Sequence, residues 1–121
     1  MKRQTRCFLA VSLVLASVSG AKIASAQGQP LTAATLLSQC TAEALPARET
    51  CATYILQSVD RHRAAPEPAF CLPASAILGD LRARFIAWGQ TQNAAALKVT
   101  ADDGLAIALA EAFPCPLTQS G

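Results

Sequence analysis

Cysteine is the residue whose chemistry this chain invites first. Cys40, Cys51, Cys71 and Cys115 are spread widely through it, and a fifth, Cys7, stands near the N-terminus. A thiol can bind metal, act as a nucleophile or pair with another thiol. No two of these cysteines have the close spacing of a metal knuckle or a redox dithiol, and the only histidine is His62, so neither a zinc site nor any other cofactor motif is expected. Pairing is the chemistry left, and an even set of four cysteines in an exported chain favours two disulfides. The run Asp60-Arg61-His62-Arg63 holds a base beside an acid, but residues two apart on a helix do not face each other. It reads as a solvated helix end whose cations suit the negative pole. Ser38, Ser58, Ser75 and Ser120 stand in no nucleophile-elbow sequence, so the chain is not expected to be an enzyme.

Disulfides need an oxidising compartment, and the N-terminus supplies the route to one. Lys2, Arg3 and Arg6 precede an apolar stretch from Cys7 to Gly20, and Ala24-Ser25-Ala26 places small residues where signal peptidase needs them. Residues 1–26 are expected to be a cleaved signal peptide, leaving a mature domain over 27–121 that begins at Gln27 in the periplasm. Cys7 leaves with the peptide. It also precedes the apolar run rather than following it, which argues against lipidation. No later segment is apolar enough to span a bilayer, so no membrane association is expected after cleavage.

Lys2, Arg3, Arg6 and Lys22 are four of the ten basic residues, whereas all eight acids lie beyond Ala26. The mature chain therefore carries a net charge of about −2, which offers no electrostatic footprint for nucleic acid. About 95 residues remain, enough for one domain that benefits from covalent staples.

Four helical segments position the cysteines. The first follows Pro30, with Thr32 as its N-cap and Leu36, Leu37 and Cys40 at helical spacing. The second starts near Pro46, presents Cys51, Tyr54, Ile55 and Val59 on one face, and ends before Pro66 and Pro68. The third follows Pro73 and carries the stripe Leu78, Leu81, Phe85 and Trp88, with Arg82 and Arg84 turned mostly away and Gly89 as its stop. Thr100 caps the fourth, Asp102 and Asp103 suit its positive end, Leu105, Leu109, Ala112 and Phe113 form its buried face, and Pro114 closes it. No convincing alternation of period two occurs, so the expected fold is all-α, a small disulfide-stapled bundle of about four helices. Short links make consecutive helices antiparallel, which brings Cys40 to Cys51 and, if the last two helices form a hairpin, Cys71 to Cys115. A third helix packed first on the first one would favour Cys40 with Cys71 instead.

The array Leu36-Leu37 before Cys40, Cys51 followed by Tyr54-Ile55 and Val59-Asp60, Phe70-Cys71-Leu72-Pro73, Leu78-Gly79-Asp80-Leu81-Arg82, and Ala108 to Cys115 with its Ala-Phe-Pro-Cys ending resembles the Tai/Rap family of immunity proteins. That resemblance covers nearly the whole mature chain. It implies a periplasmic inhibitor that binds a peptidoglycan amidase effector delivered by type VI secretion and does no chemistry itself, and it suggests a homodimer bound by two effector molecules. Two departures stand out. Ile77 occupies a place where relatives usually carry a capping threonine, so the third helix is expected to start with a weaker or shifted cap. The segment from Gly89 to Lys98 lacks the usual His-Pro-Glu and the later histidine. Gln90, Gln92, Asn93 and Lys98 in that segment, with Asp102 and Asp103 at the next helix start, are the candidate partner contacts. An envelope-assembly or structural protein with no toxin target is the alternative.

Overall fold

The structure is a computed structural model that describes residues 29–117. The expected signal peptide, its cleavage after Ala26, Cys7 and Ser120 all lie outside the described residues. Among those described, four helices account for the regular structure: α1 (Ala33–Thr41), α2 (Leu45–Ala64), α3 (Leu78–Gln90) and α4 (Ala101–Ala112), with a 3₁₀ turn over Ala96–Lys98. None of these helices is long and apolar enough to cross a membrane.

Caps and prolines set the boundaries. The Thr32 hydroxyl accepts from the Thr35 N–H at 3.2 Å to open α1, and the Thr100 hydroxyl accepts from the Asp103 N–H at 3.1 Å to open α4. Pro46 sits in the first turn of α2, where its missing N–H costs nothing. The weak cap expected for α3 is what forms. Ile77 is its N-cap and has no acceptor to offer, so only the reciprocal half of a capping box remains: the Asp80 carboxylate accepts from the Ile77 N–H at a long 3.4 Å.

The core fills between the helices with Leu36, Ile55, Phe85, Leu105 and Leu109, all fully buried. Burying each such side chain contributes roughly 1.5–3 kcal/mol, which is how a nine-residue α1, too short to be stable alone, is held. Phe85 and Trp88 stack with ring centroids 5.9 Å apart, so the α3 stripe is core, as its spacing predicts. Ala112 and Phe113 are half-buried rather than fully so.

Helix α1 is the hub, packing on the other three, while α2 and α4 each also pack on α3. Both hairpin pairings form: Cys40–Cys51 joins α1 to α2, and Cys71–Cys115 joins the approach to α3 with the exit from α4. Helix α3 does pack on α1, but Cys40 is already engaged by Cys51, and Cys71 lies in the extended segment where its N–H donates to the Phe113 carbonyl at 2.9 Å.

Two expectations need correcting. Gly89 does not stop α3, which continues through Gln90. It is buried, and a Cβ there would lie 2.8 Å from both Leu37 methyl groups, so the glycine serves the close approach of α3 to α1. Arg82 is not turned away from the packed face. Its Nε and Nη2 donate to the Cys40 carbonyl at 3.0 and 2.6 Å, satisfying an acceptor at the C-terminus of α1 that the helix itself leaves open.

Candidate functional site

The segment joining α3 to α4 is built from its own polar side chains. The Thr91 hydroxyl donates to the Trp88 carbonyl at 2.7 Å, and the Gln92 amide donates to the same carbonyl at 3.3 Å and to the Thr91 hydroxyl at 3.0 Å. These bonds close the end of α3. Asn93 then opens the 3₁₀ turn, its side-chain oxygen accepting from the Ala96 N–H at 2.9 Å. The far end is stitched to α1: the Ala33 N–H donates to the Val99 carbonyl at 2.9 Å, and the Ala101 N–H donates to the Leu31 carbonyl at 2.7 Å. Each of those N–H groups is the first of its helix, which no intrahelical carbonyl can satisfy, so the two helix starts satisfy one another. The result is a loop held in one conformation from both ends.

The candidate contact residues thus fall into two groups. Gln92, Asn93 and Asp102 are spent on holding the loop and the start of α4. Gln90, Lys98 and Asp103 project as exposed side chains around it.

Asp102 gathers three side chains of α2. The Ser58 hydroxyl donates to its Oδ1, Arg61 Nη2 donates to the same oxygen at 2.9 Å, and His62 Nε2 lies 3.3 Å from Oδ2 without the alignment of a hydrogen bond. Burial by itself would raise the Asp102 carboxyl. The hydrogen bonds from Ser58 and Arg61 and the charges of His62 and Arg61 outweigh it and hold the group below its ordinary value. Next to it Tyr54 lies under the Arg61 guanidinium, 6.0 Å from ring centroid to Cζ. Burial, then the Asp102 charge, push its hydroxyl above the ordinary tyrosine value.

This cluster corrects the reading of His62 as a solvated helix end. Its side chain is 19% exposed, packs on the Phe70 ring at 5.1 Å, and finds its acid in Asp102 on α4 rather than in Asp60. Serine, histidine and aspartate are therefore together, but not as a catalytic set. The Ser58 hydroxyl is fully buried and donates its hydrogen bond to the carboxylate, and the histidine faces the same carboxylate instead of the hydroxyl. A nucleophile needs a base on its hydroxyl and a path to substrate, and Ser58 has neither. The cluster ties α2 to α4 below the loop. Nothing in the sequence signalled it, because Asp102 stands 44 positions beyond Ser58 and 41 beyond Arg61.

The family model for Rap1a immunity proteins matches residues 32–115, from the α1 cap to the last cysteine. The chain belongs to that family. No curated protein and no solved structure gives a significant match. Members of the Rap1a immunity family are not enzymes, in keeping with a cluster that lacks an accessible nucleophile, and membership implies binding of a cognate toxin effector. The family match spans all four helices and both bridges described above.

Proposed function

We propose that this Rap1a-family protein is exported to the periplasm by cleavage of residues 1–26, and there binds and blocks a peptidoglycan amidase effector delivered by type VI secretion. The observation that carries the reading is the family match over 32–115, joined by the charged and apolar N-terminal pattern and by four cysteines paired in a way that requires an oxidising compartment. The effector contacts the α3–α4 loop and the start of α4 through Gln90, Lys98 and Asp103, while Gln92, Asn93 and Asp102 hold that surface in shape.

Inhibition by a binding protein gains from such rigidity, since ordering loose groups on association subtracts from affinity. Caps at both ends of the loop, the Asp102 cluster beneath it and two disulfides remove that cost before the partner arrives. The protein acts as a homodimer that engages two effector molecules. The test is to direct any peptidoglycan amidase found encoded beside its gene to the periplasm, with and without this protein. Survival only in its presence, with co-purification of the two, supports the reading. Lysis regardless of its presence moves the assignment to an envelope-assembly role.

A further inference from the structure

The two disulfides differ in what surrounds them. Cys40 and Cys51 are fully buried in the hydrophobic core. Cys71 and Cys115 are half-buried and line an open groove together with Pro66, Glu67, Pro68 and Pro116. Pro66, Pro68 and Pro116 on the rim lie outside every helix, and the Pro68 carbonyl lies 3.7 Å from the Cys115 sulfur on one side of the groove.

We propose that Cys71–Cys115 is a thiol–disulfide exchange site for dithiols, and that it opens while Cys40–Cys51 stays closed. Exchange requires a thiolate to approach a sulfur in line, which makes access decisive where two bridges lie in one molecule. In the first step a thiolate of the dithiol attacks one sulfur of the bridge. The S–S bond breaks, its electron pair leaves on the other cysteine sulfur, and that sulfur takes a proton from water. The second thiol of the dithiol, as its thiolate, then attacks the dithiol's own sulfur in the mixed disulfide; that S–S bond breaks, its electron pair leaves on the remaining cysteine sulfur, and that sulfur takes a proton from water. The dithiol ends as a disulfide and Cys71 and Cys115 end as two thiols.

What the bridge holds also defines what exchange releases. It fastens residues 65–77 to the chain beyond α4, and that segment is also held by the Cys71 N–H to Phe113 carbonyl bond, the buried Phe70 ring and the half-buried Leu72 and Ala76 side chains packed on the core. The helices themselves keep Cys40–Cys51 and the Leu36, Ile55, Phe85, Leu105 and Leu109 core. Opening this half-buried bridge therefore loosens the strap and leaves the bundle standing. The proposal does not depend on which toxin is bound.

The test is graded reduction of the oxidised protein with dithiothreitol under native conditions, quenched with iodoacetamide and followed by peptide mapping and far-ultraviolet circular dichroism. Cys71 and Cys115 should be alkylated roughly tenfold sooner than Cys40 and Cys51, at a stage when the helical signal is still present. A Cys71→Ser/Cys115→Ser variant should keep that signal as well. Simultaneous reduction of both bridges, earlier reduction of Cys40–Cys51, or loss of helix in step with the first alkylation would each overturn the proposal.

Discussion

Asp102 shows how one side chain can hold two helices. Replacing it with asparagine keeps the shape but removes the charge that Arg61 and His62 face and weakens the acceptor for the buried Ser58 hydroxyl. Because the carboxylate is partly exposed, Asp102→Asn should cost only about 1–2 kcal/mol by denaturant unfolding. Its pH dependence has a definite sign. The folded-state pKa lies below the unfolded one, so the contribution is complete above the ordinary carboxylate value of about 4 and is lost as pH falls through the folded value. Melting temperatures of wild type and Asp102→Asn should therefore differ at neutral pH and converge on acidification. A second pair of substitutions separates two tight approaches. A Cβ at Gly104 would lie 2.8 Å from Ala33 Cβ and 3.2 Å from the Trp88 ring, neither of which moves easily. At Gly89 the obstacle is the far end of the Leu37 side chain, which can rotate. Gly104→Ala should destabilise by about 1–3 kcal/mol and Gly89→Ala by less, as read from urea midpoints.

At the scale of the helices, what could be read from the sequence was whatever depends on neighbours along the chain. Thr32 and Thr100 cap the helices they precede, the Leu81, Phe85 and Trp88 stripe is core, and the lack of a side-chain cap at Ile77 follows from isoleucine having no acceptor. The features that escaped depend on contacts between distant segments. Gly89 carries a usual stop signal, yet its lack of a side chain is needed where Leu37 of α1 crosses it. Arg82 and His62 look outward-facing on their own helices, whereas their partners are the Cys40 carbonyl and Asp102. The α3–α4 segment was recognisable as a candidate surface by its departures from the resembled family. The use of Gln92 and Asn93 in closing the local turns was not, because an amide side chain that caps a turn and one that meets a partner look alike in sequence. Asn93→Ala should release the Ala96 N–H from its cap, so amide hydrogen exchange over residues 94–98 should accelerate while the core of α1 keeps its protection.

For the whole molecule the disulfides weigh heavily. By chain-entropy estimates, closing loops of these lengths stabilises by roughly 3 kcal/mol for Cys40–Cys51 and roughly 4 kcal/mol for Cys71–Cys115. Together they approach the total stability of a domain this small, so complete reduction should abolish the cooperative thermal transition. Export is checked by intact mass: the periplasmic protein should begin at Gln27, and retention of Cys7 would contradict the compartment assignment. The proposed role as a rigid inhibitor of a cell-wall amidase is tested most directly by calorimetric titration of the oxidised protein into any peptidoglycan amidase found encoded beside its gene, with peptidoglycan hydrolysis followed in parallel. Saturable binding at one effector per chain and loss of hydrolysis at the same ratio are expected, both weakened when Lys98 and Asp103 are replaced by alanine in a protein that still melts normally. A folded, fully oxidised protein that neither binds the amidase nor slows it would contradict the account.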